Sequence, residues 1–166
     1  TQIIINCYSL ENITLTDCGI LNNLEIVGCI NLKKLTITKC GALETVQGFS
    51  ENHVNLTELC IADCSALRAV QGLSENHVKL AKKLEHLKLS GCEHLPLPTL
   101  DLTCCAKLKT LDLSNCTKLG KLELAGCRAG RAHRCTWMCP TWVATGPSIS
   151  PIRSPSTAAA GTSTAP

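Results

Sequence analysis

Cysteines recur along this chain at a fixed step of eleven residues. Cys7, Cys18, Cys29 and Cys40 are spaced so, and the step returns at Cys105, Cys116 and Cys127. One pattern runs between them, C-x-x-L-x-x-[LIV]-x-[LIV]-x-x, as in CGILNNLEIVG from Cys18 and CTKLGKLELAG from Cys116. A fixed internal period outranks local propensity, because each unit must bury its apolar side against its neighbours. The alternation within Leu35-Thr36-Ile37 is that of a half-buried strand. Eleven residues leave no room for a helix between strands. Two units, about 22 residues, therefore make one coil with a strand on one side and an extended segment opposite.

Variation in spacing separates the two kinds of strand. Ile13–Leu15, Leu35–Ile37, Leu59–Ile61, Leu87–Leu89 and Leu111–Leu113 are the expected main strands, about five coils in all. The extra residues then fall in 48–55 and 72–83, on the return arc, where an insertion does not break the stack. Such arcs accommodate short helical turns, expected around Val78–Lys83. Residues 42–56 and 66–80 agree at 11 of 15 positions, one repeat apart, which reads as a tandem duplication. It stacks His53 on His77, a pair read as surface residues without a special role.

Composition agrees with thin layers. Of 166 residues 45% are hydrophobic, yet there are only two Trp, one Tyr and one Phe. A core of Leu, Ile, Val and Cys lacks the large rings that fill a globular centre. The chain starts at Thr1 without a Met and is read as part of a longer protein.

The fold expected is an α/β-type solenoid over residues 1–127, mostly β, with extended or short helical return arcs. Residues 128–166 are read as a disordered, low-complexity tail. Of these 39 residues 26 are Ala, Gly, Pro, Ser or Thr, too few apolar groups to offset chain entropy. The tail also holds four arginines and no acid, so the formal charge of +3 belongs to it. The repeat region, with 13 acids and 12 Lys or Arg, sums to −1 and offers no basic face for nucleic acid.

Nine cysteines, Cys7, Cys18, Cys29, Cys40, Cys64, Cys92, Cys105, Cys116 and Cys127, follow a strand at the same position. They are expected as a structural ladder of reduced, compact packing groups. An odd total of 13 and a fixed repeat position argue against a disulfide scaffold. Tandem C-x-x-C pairs, the usual zinc spacing, are absent. His133, Cys135 and Cys139 form a set one ligand short of a zinc site. Cys60 stands apart from the ladder, at an outward strand position. Three N-x-[ST] triplets begin at Asn12, Asn55 and Asn115, and two of them are read as centred on a core residue.

No phosphate-binding loop, nucleophile elbow or H-E-x-x-H motif occurs, so no catalytic residue, cofactor or metal is expected. No apolar run reaches the length of a membrane span, and neither insertion nor a small-molecule substrate is expected. The expected partner is a protein. The face to meet it is built from side chains alternating with the buried Leu and Ile. These are Asn12, Thr14, Lys34, Thr36, Glu58, Cys60, His86, Lys88, Thr110 and Asp112, expected on a concave side. Their mixed charge suits a protein better than a phosphate backbone.

The segments LKKLTITKCGALETV, LTELCIADCSALRAV, LEHLKLSGCEHLPLP and LKTLDLSNCTKLGKL carry a resemblance. They resemble the L-x-x-L-x-[IL]-x-x-C-x-x-L repeats of plant nucleotide-binding leucine-rich-repeat disease-resistance proteins. The resemblance implies a cytoplasmic or nuclear sensor and autoinhibitor that recognises a pathogen effector or an altered host protein. It carries over no nucleotide-binding residue, because residues 1–127 match only the repeats. Two other classes fit the residues, a substrate adaptor of a ubiquitin ligase of the F-box type and an extracellular receptor or adhesin. A truncated, non-functional product is the last reading.

Overall fold

The computed structural model describes residues 1–49, 55–71, 83–102 and 105–124. The expected main strands are all present. They are β2 (Asn12–Thr16), β4 (Lys34–Thr38), β6 (Glu58–Ala62), β8 (His86–Ser90) and β10 (Thr110–Asp112), in one five-stranded sheet. Every pairing is parallel, and the register joins Ile13, Leu35, Leu59, Leu87 and Leu111 in one row. The return segments form a second sheet from β1 (Gln2–Asn6), β3 (Asn23–Val27), β5 (Thr45–Gln47) and β7 (Ala69–Val70). A shorter pair, β9 (Leu97–Asp101) and β11 (Leu119–Glu123), continues the return side near the end of the described chain. The result is a solenoid of about five turns with stacked parallel strands.

Translation along the stack is visible in its backbone bonds. The amides of Lys33 and Lys34 both donate to the Glu11 carbonyl, at 2.7 and 3.0 Å. Thr57 and Glu58 repeat this fork on Lys33, Glu85 and His86 on Thr57, and Lys109 and Thr110 on Glu85. Between the sheets lies one continuous apolar core in which Leu24, Ile26, Leu35, Ile37, Leu43 and Val46 are fully buried. Single-residue layers of this kind need no large rings, as the composition implied.

The helical part of the α/β expectation is not borne out among the described residues. Among the described residues there is no helix, so that part of the solenoid is β throughout. The helical turn expected around Val78–Lys83 falls, apart from Lys83, outside the described residues. So do His53, His77, Cys127 and the tail 128–166. The uninterrupted register of the five-stranded sheet keeps both long insertions out of it, in the arcs after β5 and β7.

Cysteine and the residue before it make each corner. Asp17, Lys39, Asp63 and Asn115 have φ between 55° and 59°, and Gly28 and Gly91 have 68° and 65°. All six immediately precede a ladder cysteine. The chain reverses there through one left-handed residue, a conformation that Gly, Asn and Asp enter most easily. The cysteine behind it then turns inward. Cys29, Cys40, Cys64, Cys92, Cys105 and Cys116 are buried, whereas Cys7 and Cys18 on the first coil are half-buried. Several of these thiols find a carbonyl: Cys40 donates to Thr38 at 3.5 Å, Cys64 to Ala62 at 3.4 Å and Cys116 to Leu89 at 2.7 Å. The triplets at Asn12, Asn55 and Asn115 are centred on Ile13, Leu56 and Cys116. All three centres are buried, where two core residues were expected.

Candidate functional site

Strand alternation sends every second side chain of the five-stranded sheet away from the core. The ten residues expected on the recognition face occupy two parallel rows there. Asn12, Lys34, Glu58, His86 and Thr110 form one row, and Thr14, Thr36, Cys60, Lys88 and Asp112 the other. Rows one strand apart, about 4.8 Å, put neighbouring charges in reach of each other.

The charges alternate accordingly. Lys34 Nζ lies 2.9 Å from Glu58 Oε1, and Lys88 Nζ lies 3.1 Å from Asp112 Oδ2. His86 Nδ1 and Thr110 Oγ1 are 2.8 Å apart. Burial alone would raise the Asp112 carboxyl. Hydrogen bonds from the Ser114 hydroxyl and amide, and from Lys88, outweigh it and hold Asp112 below the usual carboxylate range. The same hydrogen bond and charge from Asp112 raise the Lys88 ammonium. Both groups are therefore ionised throughout the neutral range.

Six of the ten, Glu58, Cys60, His86, Lys88, Thr110 and Asp112, line an open depression of about 360 Å³, beneath which Leu59 and Leu87 turn their side chains into the core. Asn12, Thr14, Lys34 and Thr36 lie on the same face towards the first coil and do not line it. Thr36 Oγ1 is buried without a hydrogen-bond partner, beside Cys60 in the register. Cys60 itself is half-buried, and desolvation pushes its thiol up, against the opposing pull of Lys88. A thiol held in its protonated form is a poor nucleophile and acts as a compact apolar surface. Among the described residues no three His, Cys, Asp or Glu side chains are grouped as metal ligands would be.

The alternation rule was sufficient to name the rows, and the depression was not legible from it. Ser114, which fixes Asp112 through two bonds, was missed; the D-x-S spacing of Asp112 and Ser114 is the signal that finds it.

The fold and face define a repeat solenoid with a mixed-charge outer sheet. The chain matches no protein-family model, and no curated protein and no solved structure was found to be similar to it.

Proposed function

We propose that this solenoid is a protein-recognition module and that the outward face of β2, β4, β6, β8 and β10 is its contact surface. The observation that carries the reading is the depression around Cys60, whose half-buried thiol is rimmed by Glu58, His86, Lys88 and Asp112. An apolar centre inside a polar, charged rim is the anatomy of a protein contact. Paired charges of both signs favour an oriented partner over a uniform polyanion. The repeat resemblance supports a narrower proposal. The chain is the effector-sensing, autoinhibitory repeat segment of an intracellular, plant-type immune receptor, and its partner is an effector or an effector-altered host protein.

Proximity labelling in plant cells tests it with three forms of the chain: unmodified, Glu58→Ala with His86→Ala and Lys88→Ala, and Glu25→Ala on the return sheet. The triple variant is expected to lose a discrete set of labelled proteins that the other two retain, with circular dichroism unchanged in all. Identical sets from all three forms would sink the face assignment.

A further inference from the structure

The thiols behind the main strands stand in a regular column. Cys18 Sγ lies 3.7 Å from the Thr16 carbonyl, Cys40 3.5 Å from Thr38, Cys64 3.4 Å from Ala62 and Cys92 3.6 Å from Ser90. Those carbonyls belong to residues that pair in register, Thr16 with Thr38, Thr38 with Ala62 and Ala62 with Ser90. Each sulfur is thus held in the same way on its own coil, and the column repeats at the strand spacing, about 4.8 Å.

The gap between Cys18 and Cys40 is the best defined. The hydroxyls of Thr16 and Thr38 meet at 3.1 Å, and the Asp17 amide donates to the Thr38 carbonyl at 3.0 Å, so the register holds up to the corner. There the Cys18 thiol reaches the Cys40 thiol, and the Cys18 backbone amide is placed to donate to the Cys40 sulfur. An N–H aimed at a sulfur favours the thiolate, the form that binds metal.

That spacing suits one kind of occupant. A disulfide needs Cβ atoms about 3.8 Å apart and sulfurs about 2 Å apart. Two side chains that leave neighbouring coils in the same direction keep a full strand spacing between them. A metal ion midway between the sulfurs sits about 2.4 Å from each, half the strand spacing, close to a metal–thiolate bond of about 2.3 Å. Its ligands are then two sulfurs on opposite sides, since no third His, Cys, Asp or Glu side chain joins them among the described residues. Zinc takes four ligands and is not satisfied there. Cu(I) is soft, prefers thiolate and accepts two of them in a line. The absence of C-x-x-C spacing does not count against such a site, because its ligands come from successive coils and lie 22 residues apart.

We propose that Cys18 and Cys40 bind one Cu(I) ion between adjacent coils. On binding, both thiols give their protons to solvent and no electron moves, so the ion is held as a singly negative, two-coordinate bis-thiolate. The site is complete between two coils and is unaffected by what adjoins either end of the stack. It lies at the corner beyond β2 and β4, apart from the recognition face, and does not depend on that face binding anything.

The test is anaerobic loading of the full chain with Cu(I), supplied in an excess of the chelator bicinchoninate. Cys127, Cys135 and Cys139, beyond the described solenoid, are first replaced by Ser so that they take no copper. This chain is expected to withhold one Cu(I) from the chelator, with a copper-edge X-ray absorption spectrum of two sulfurs in a line. Cys18→Ser and Cys40→Ser, each added alone, are expected to lose that ion, whereas Cys7→Ser and Cys60→Ser keep it. Circular dichroism accompanies each variant. Cys40 is buried and Cys18 half-buried, so Cys18→Ser decides the matter if Cys40→Ser fails to fold. Copper retained by Cys18→Ser overturns the proposal. So does copper that the chelator removes entirely, an adventitious ion only, or a spectrum of three or four sulfurs, which would place the ion on other cysteines.

Discussion

Within each coil, one backbone conformation decides which residue can precede the cysteine. Five of the six left-handed corners hold Gly, Asp or Asn, and the sixth holds Lys39 at a φ of 56°. A long side chain gains nothing there from a local hydrogen bond, and its Cβ crowds the carbonyl at about 1–2 kcal/mol. Lys39→Gly removes that strain and adds some unfolded-chain entropy, leaving a net gain of about 0.5–1 kcal/mol. Urea unfolding checks it, and a lower midpoint for the variant would contradict the strain argument. Gly91 reports the opposite case. A Cβ there would come within 2.7 Å of Asp63 Oδ1 on the next corner, so the column tolerates a glycine but not a crowd. The corner positions were on view in the sequence as D, G, K, D, G and N before cysteine. They were not read as a conformational column, because Lys39 hides the pattern from any composition rule.

Strands differ in stability according to how many neighbours cover them. Leu35 lies between Ile13 and Leu59 in the register and is fully buried, whereas Ile3 has a neighbour on one side only. Leu35→Ala should cost about 2–5 kcal/mol through lost transfer energy and a cavity with no room to collapse. Ile3→Ala should cost well under half as much. Equal losses in urea titrations would mean that the coils do not act as nearest-neighbour layers. The same coverage argument explains what was legible. The main strands were readable because Leu-x-Leu alternation and the cysteine step coincide, and the register reproduces the expected rows residue for residue. The strand β9 was not, since Pro98 interrupts its pattern. It fits because β9, among the described residues, pairs only with β11, and proline is tolerated on an edge. The two outward rows of the five-stranded sheet were legible, since alternation alone fixes them. The depression between Glu58 and Asp112 depends on side-chain lengths and an ion pair across three strands, which no single segment contains.

Along the whole stack the cysteines behind the main strands form a buried column, and this should make the molecule sensitive to alkali. Burial pushes the Cys64 and Cys92 thiols up to about 12, and it raises Cys40 as well, from an ordinary value of 9.0. Between pH 9 and 12 the unfolded chain gives up these protons while the folded chain keeps them. The unfolded state then binds fewer protons, so stability is fully present below pH 9 and falls as pH rises towards 12. Lys88, raised by Asp112, works in the same direction at the upper end of that window, because folding favours its charged form. The surface pairs Lys33–Glu11 and Lys34–Glu58 are half-exposed, and each adds at most a fraction of a kcal/mol. Urea midpoints taken under reducing conditions at pH 8 and at pH 10.5 should therefore drop for the unmodified chain. Cys64→Ala with Cys92→Ala starts from a lower midpoint because two buried groups are shortened, but its drop between the two pH values should be distinctly smaller. An equal drop would mean that the buried thiols do not carry the alkaline loss. The cysteine column would then count for its shape alone, and any small residue at those corners would serve the solenoid as well.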